Sequence, residues 1–374
     1  MKFNKKNYKH YLIFSWYSLI FLCAYILTIS KKSKTNNIFL MGHNYEGNLE
    51  ALVSLNKKDF NFRYLTFNKL LIKEQENFIH YQNIKNICDL LCSKVVIATH
   101  GILFHSLLKR RDIKTINIGH GIQTSNIDLS NSELNMFDEV WLSSKLEKEI
   151  FINDCNYPSS NIHITGFIKH QITLSKKLNS NINGNIIIEN NVYWLYAPTA
   201  TKANKKAHED LFNINNPTFL NALNELSILN NCTTVIKPHF RDFENRNKLL
   251  LLKSLISGFS NLIFVEELNE EELKYLPNSI DVLITDWSSI FLDYLILDKP
   301  IIFLNSSKRR KNMTISKYFD NGYISRINSY EEIKKINIKN SKFRTSELKK
   351  YIFGDLNLEK INSRYLKRLE NLID

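Results

Sequence analysis

The chain has 374 residues, 44% of them hydrophobic and 12% aromatic, with a formal net charge of +13 and an isoelectric point near 9.3. Such a length accommodates two domains with cores of their own, and the apolar content excludes a disordered chain. The charge calls for an anionic partner, which can be nucleic acid, an anionic membrane or a phosphorylated substrate.

The basic residues fall in short clusters, Lys5-Lys6, Lys31-Lys32, Lys109-Arg110-Arg111, Lys205-Lys206 and Lys308 to Lys311, with no zinc-finger or RNA-binding signature beside them. That pattern argues against a nucleic-acid partner. The five cysteines, Cys23, Cys88, Cys92, Cys155 and Cys232, are odd in number and irregular in spacing. Neither a disulfide framework nor a zinc site fits them, and a reducing compartment is the simpler inference.

Residues Tyr11 to Ser30 carry no charge, with Lys2, Lys5, Lys6 and Lys9 before them and Lys31, Lys32 and Lys34 after. The stretch is long enough to span a bilayer, although Ser15, Trp16, Tyr17, Ser18, Tyr25 and Thr28 dilute it. An in-plane interfacial helix and a buried helix of the first domain are the other readings. The expectation is a membrane-contacting N-terminal segment over residues 1–34, outside the α/β patterns that follow.

Ile38 to Met41 reads as a first strand, Gly42 to Gly47 as a turn, and Asn48 to Asn56 as a helix. Phe62 to Phe67 is a second strand. A helix around Asn83 to Cys92 leads into the strand Lys94 to Ala98. Thr115 to Ile118 is another strand, ending in Gly119-His120-Gly121. Glu139 to Leu142, the helix Lys145 to Asn153, and Asn161 to Thr165 complete a domain over residues 35–175. Strands alternating with helices at this spacing predict a parallel, doubly wound sheet. Residues 176–190, rich in Asn, Ser and Lys, read as a linker.

A second α/β pattern over residues 191–374 holds the strands Val192 to Tyr196, Thr233 to Ile236, Leu262 to Val265, Val282 to Thr285 and Ile301 to Leu304. Two Rossmann-like, doubly wound domains facing a cleft make the GT-B arrangement. The stretch from Leu348 onward looks helical, and in that architecture the last helix often returns to the first domain.

Val282 to Leu304 is the most informative stretch: a buried strand, the polar corner Thr285-Asp286-Trp287-Ser288-Ser289, an apolar helical face, and a second strand after Lys299-Pro300. A helix N-terminus placed after a parallel strand is a natural phosphate site. The expected arrangement puts Ser288 and Ser289 at the cap and first turn, with Asp293 four residues past Ser289 on the same face.

These strand-end motifs resemble the CDP-glycerol glycerophosphotransferase family, the teichoic acid primases and polymerases. The resemblance covers roughly residues 95–310. Its strongest piece is Ile284 to Tyr294, followed by Lys299 to Phe303, with Trp287 where the family has Tyr. Tyr196-Ala197-Pro198-Thr199, Ile236-Lys237-Pro238-His239 and Gly119-His120-Gly121 match further family turns. Thr165-Gly166-Phe167 opens a Gly-aromatic-Pro-Arg motif in which Ile168 and Lys169 replace Pro and Arg. Gln123 to Ser125 stand where the family has a Lys, and the cation after the Pro-Thr turn is displaced to Lys202.

The resemblance implies transfer of a polyol phosphate, most simply glycerol phosphate, from a CDP-alcohol to a hydroxyl of a lipid-linked or polymeric glycan acceptor, with release of CMP. It implies His120 as general base, a role suited to a group whose pKa lies near working pH. It implies His239 as the second catalytic histidine, holding the diphosphate. Thr199, Lys237, Thr285, Ser288, Ser289 and Asp293 are the donor-binding candidates. Asp286 is expected to orient His239 or Lys237 and not to act as a base. No metal and no cofactor is called for. The implied location is the cytoplasmic face of the cell membrane, against an anionic surface. A nucleotide-sugar glycosyltransferase of capsule or lipopolysaccharide synthesis is the alternative enzyme, and a non-catalytic membrane scaffold on the same fold the alternative class.

Overall fold

The structure is a computed structural model. It describes the chain except residues 1–4, 32–33, 43–46, 56–59, 67–76, 120–130, 172–180, 183–184, 187–190, 200–211, 239–245, 266–275, 287, 289, 306–325, 339–344, 355–356 and 374. The chain divides into two compact units. The first comprises residues 1–123, 127–169 and 356–374, and the second residues 124–126 and 170–355.

Unit 1 contains α1 (Lys5–Thr28), β1 (Thr35–Met41), α2 (Asn48–Ser54), β2 (Asn61–Thr66), β3 (Phe78–His80), α3 (Ile84–Leu91), β4 (Ser93–Ala98) and α4 (His105–Arg110). It continues with β5 (Lys114–Asn117), α5 (Asn131–Leu134), β6 (Glu139–Leu142), α6 (Lys145–Asn153) and β7 (Ile162–Ile164). The seven strands form one parallel sheet in the order β3-β2-β1-β4-β5-β6-β7. Chain order reverses at β1, whose neighbours are β2 and β4, so the switch point lies between β1 and β4. Strands such as Glu139–Leu142 are buried at every position, as expected of a parallel sheet covered on both faces.

The structure corrects the placement of the N-terminal segment. One face of α1 belongs to the core of unit 1, where Tyr17, Ile20, Phe21 and Ala24 are buried. Phe21 stacks on Phe104 at 4.1 Å between ring centroids, and Tyr17 meets Tyr81 edge-on at 6.2 Å. Past its C-terminus, the Arg111 guanidinium donates to the carbonyls of Ile29 and Lys31. The remaining surface of α1 carries Trp16, Leu19, Leu22, Ile26 and Leu27, all exposed, and Ile29 just past its end is exposed too. Among the described residues no helix is long and apolar enough to cross a membrane.

Unit 2 opens with the two-residue pair β8 (Asn181–Ile182) and β9 (Asn185–Ile186), antiparallel and inside the expected linker. Its main elements are β10 (Tyr193–Tyr196), α7 (Pro217–Leu229), β11 (Thr233–Ile236), α8 (Arg246–Ile256), β12 (Leu262–Phe264), β13 (Val282–Thr285), α9 (Phe291–Ile296), β14 (Ile301–Leu304), β15 (Arg326–Ile327), α10 (Tyr330–Lys334) and α11 (Thr345–Phe353). The parallel sheet runs β12-β11-β10-β13-β14-β15, with its switch point between β10 and β13.

The last helix, α12 (Leu358–Ile373), counts with unit 1. Ile361, Tyr365 and Leu369 are buried there. The Tyr365 hydroxyl donates to Gly166 O at 3.2 Å, and its ring meets Trp141 edge-on. The Arg368 guanidinium pairs with the Glu139 carboxylate, which also accepts from Trp141 Nε1 at 3.0 Å. Gly166 has φ +93°, and a Cβ there would stand 2.5 Å from Ile361 Cγ1. The position therefore requires glycine on both conformation and space.

Candidate active site

The carboxyl ends of β10 and β13 lie at the unit 2 switch point, where open α/β sheets bind ligands. β10 pairs with β13 through Tyr196 and Ile284, and the turn Ala197-Pro198-Thr199 leaves its end. Two residues brace that turn. Thr285, fully buried, donates its hydroxyl to Ala197 O at 2.7 Å. Asp286 Oδ1 accepts both the Thr199 amide and the Thr199 hydroxyl, each at 2.7 Å. Asp286 is 3% exposed, so its charge is buried behind these two donors. It holds the Pro-Thr turn through Thr199.

Lys237 follows β11, one strand over. Its amide donates to Tyr196 O at 3.0 Å, which fixes it beside the same turn. The side chain is half-buried, and burial lowers its ammonium pKa from the ordinary lysine value. Among the described residues its ammonium has no anionic partner. Burying a cation costs free energy unless it is paired, so this position suits an incoming anion.

α9 begins later than expected. Ser288 O accepts the Phe291 amide at 3.3 Å, and the cap position is Ile290, which makes no side-chain cap. Ser288 is therefore in the turn before the helix and does not cap it. Asp293 is in the first turn, with Oδ1 3.6 Å from Nε2 of the buried His170. The His170 ring meets Phe353 edge-on at 5.6 Å. His239 and Ser289 lie outside the described residues.

In unit 1, β5 ends at Asn117, and Gly119 follows with φ +63°. The Gly119 amide donates to Asn117 Oδ1 at 2.6 Å. Asn48 Nδ2 donates to Ile118 O at 3.0 Å and to Gly119 O at 2.7 Å, and Asn48 Oδ1 accepts the Lys169 amide at 3.1 Å. His120 itself lies outside the described residues, as does Lys202.

Three contributors were not singled out from sequence: Asn48, His170 and the bracing role of Asp286. Lys299 donates to Pro277 O at 2.8 Å, to Asn278 O at 2.7 Å and to Ile280 O. It closes the end of the helical turn at residues 276–279, a role that a lysine before proline hints at only as a helix stop. Among the described residues, no group of three or more His, Cys, Asp or Glu side chains is placed to hold a metal.

Residues 22–329 match the family model described as CDP-glycerol:poly(glycerophosphate) glycerophosphotransferase. The chain belongs to this family. It is a CDP-glycerol glycerophosphotransferase-like enzyme.

Among solved structures, the wall teichoic acid polymerase TagF superposes with a TM-score of 0.61 at 15% identity, covering 98% of this chain and 90% of that one. A TagF variant soaked with CDPG gives 0.60 at 14%, covering 99% and 92%. The UDP-GlcNAc 2-epimerase from Methanocaldococcus jannaschii gives 0.60 at 14%, covering 90% and 100%. At these identities the likeness establishes the GT-B-like α/β fold. A comparison with curated protein sequences finds no match. Thr199, Lys237 and Asp286 stand just past the ends of β10, β11 and β13, and Thr199 is bonded to Asp286.

Proposed function

We propose that this enzyme transfers glycerol phosphate from CDP-glycerol to a hydroxyl of a lipid-linked or cell-surface glycan, releasing CMP. The observation that carries the reading is Lys237, a half-buried ammonium without an anionic partner among the described residues, at the carboxyl end of a strand next to the switch point. A diphosphate supplies the missing anion. The turn braced by Asp286 presents Thr199 beside it, and Ser288 lies in the turn before α9. Thr285 acts from behind, by tying β13 to Ala197. Asp293, partly accessible on α9, is suited to accept from ribose hydroxyls.

In this reading the acceptor oxygen bonds to the distal phosphorus while the bond from that phosphorus to the bridging oxygen breaks. The acceptor's proton passes to the His120 imidazole, and CMP leaves with the electron pair. His239 donates to the diphosphate as charge moves onto the leaving group. Positioning and charge stabilisation carry most of the rate for such transfers. A donor panel tests it: CDP-glycerol, CDP-ribitol and UDP-sugars, with the released nucleotide and the product mass measured. CMP release from CDP-glycerol with a gain of glycerol phosphate supports the reading. UDP release from a sugar donor makes the enzyme a glycosyltransferase instead.

We also propose that it works on an anionic membrane surface, on the cytoplasmic side where nucleotide donors are made. The support is the exposed face of α1, which carries Trp16, Leu19, Leu22, Ile26 and Leu27, with lysines before and after it in sequence. Basic residues near an anionic leaflet contribute about 1 kcal/mol each. Because the other face of α1 is core, point changes are the fair test. Leu19→Glu with Ile26→Glu is expected to abolish sedimentation with phosphatidylglycerol vesicles while leaving the melting temperature within a few degrees. Unchanged sedimentation would remove the membrane role from this face.

A further inference from the structure

We propose that His170 is a positioning residue for the donor nucleotide: its buried imidazole sets the direction of the Asp293 carboxylate, and with it the preference for ribose over deoxyribose. The proposal rests on the reading of Asp293 as the acceptor for ribose hydroxyls and goes beyond it.

His170, Asp293 and Phe353 all belong to unit 2. His170 is 1% exposed. Burying an imidazole costs free energy unless polar neighbours compensate it, and Asp293 Oδ1 stands 3.6 Å from Nε2 of the ring. That separation is longer than a direct hydrogen bond, yet well within the range over which opposite charge acts. A ring nitrogen that carries its proton presents a positive edge, and a carboxylate opposite favours the form with the proton on Nε2. The imidazole therefore draws one oxygen of Asp293 towards itself.

Both partners are held from α11. The His170 ring meets Phe353 edge-on, with centroids 5.6 Å apart and planes at 89°. Phe353 is the last residue of α11 and is itself buried. α9 is tied to the same helix past its other end, where Lys349 Nζ pairs with Asp298 Oδ2 at 2.7 Å. The helix that carries Asp293 and the ring that faces it thus share one support. The terminal torsion of an aspartate is broad and roughly twofold, so an outside contact is what selects the direction its oxygens face. A ligand group is held best when neighbouring side chains lock that choice beforehand. The Asp293 side chain keeps 17% of its surface accessible, which leaves it within reach of a ligand hydroxyl. A carboxylate is an acceptor on both oxygens, and a ribose 2′-hydroxyl is a donor that deoxyribose lacks.

The test measures CMP and 2′-deoxy-CMP affinity by calorimetry in the full-length wild type, His170→Leu, Asp293→Asn and the double variant, with thermal unfolding as the check on folding. Leu fills most of the ring's place without a polar atom. The wild type is expected to prefer CMP by about tenfold, the worth of a hydrogen bond to a charged group. His170→Leu is expected to remove most of that preference by weakening CMP and not deoxy-CMP, and the double variant to lose no more than Asp293→Asn alone. A histidine with a merely structural role would weaken both nucleotides alike and leave their ratio unchanged. A folded His170→Leu enzyme that keeps the wild-type ratio, while Asp293→Asn loses it, overturns the proposal and leaves the ribose reading standing. An additional loss of the ratio in the double variant also overturns it, because His170 would then act elsewhere. If Asp293→Asn keeps the wild-type ratio, or the wild type shows no preference, the ribose reading falls and this role of His170 with it. If His170→Leu does not fold, His170→Ala takes its place, and if neither folds, His170 is a folding residue and the proposal is wrong.

Discussion

Replacing Lys237 with Met separates binding from stability. The ammonium is half-buried, and burial depresses its pKa below the ordinary lysine value of 10.5. Met keeps most of the stem's packing and removes the charge. In the free enzyme this relieves a desolvation penalty, so the protein is expected to gain stability at neutral pH. Substitutions of this kind gain about 0.5–2 kcal/mol, and each kcal/mol raises Tm by roughly 2–4 °C for a unit of this size. The sign follows from linkage. A lysine with a depressed folded pKa binds fewer protons when folded than when unfolded, so wild-type stability rises with pH between the folded pKa and 10.5. The advantage of Lys237→Met therefore shrinks as pH rises through that window. In the complex the effect reverses. A hydrogen bond to a charged group contributes about 1.5–3 kcal/mol, and each 1.4 kcal/mol is about tenfold. CMP and CDP-glycerol should thus bind roughly ten- to a hundredfold more weakly. Calorimetry for affinity and differential scanning for Tm decide it. A variant that melts lower and binds CMP like wild type would mean that Lys237 is already paired and structural.

His120→Ala is expected to abolish transfer while leaving CMP affinity unchanged, and more than about a tenth of wild-type turnover would remove it from the base role, since general base catalysis is worth roughly 10²–10⁴-fold. Gly166→Ala is expected to cost about 1–3 kcal/mol, because a Cβ there meets Ile361 at 2.5 Å on a φ of +93°. Truncating Ile361 in the same chain should recover the steric part of the loss, and a neutral single variant would show that α12 does not pack as described. Burial acts to raise the Glu139 pKa, but hydrogen bonds from Trp141 and Arg368 outweigh it and hold the carboxylate below the ordinary glutamate value of 4.5. Its contribution is then full above pH 4.5 and lost as pH falls through the lower folded value. Glu139→Gln should accordingly lower Tm at pH 7 and flatten its fall on acidification, and an unchanged acid limb in pH-dependent melts would contradict this.

The strands were legible because a parallel sheet covered on both faces demands continuous apolar runs, and Val282 to Ile284 and Ile301 to Leu304 are such runs between polar turns. The residues at and just past the strand ends were legible with them, and they include Thr199, Lys237 and Thr285. α1 was not. A helix apolar all round reads alike for a core and for lipid, and it is packing such as that of Phe21 on Phe104 and Tyr17 on Tyr81 that assigns one face to the core. The start of α9 was misplaced because Ser288 and Ser289 look like caps, whereas the turn is closed by the Ser288 backbone carbonyl. Asn48 and Asp286 act over about seventy and ninety residues of chain, and no local pattern carries such a bond. His170 had no signal either, since its partner Asp293 is supplied by a helix more than a hundred residues on.

The central claim is transfer of glycerol phosphate from CDP-glycerol, and product analysis tests it most directly. Purified full-length enzyme is incubated with CDP-glycerol and a lipid-linked glycan acceptor in anionic vesicles, and the lipid product is weighed by mass spectrometry while the released nucleotide is identified. The expected result is a mass gain of one or more glycerol phosphate units, matched mole for mole by CMP. An unchanged acceptor with CDP-glycerol, together with a sugar gained from a nucleotide-sugar donor, would contradict it.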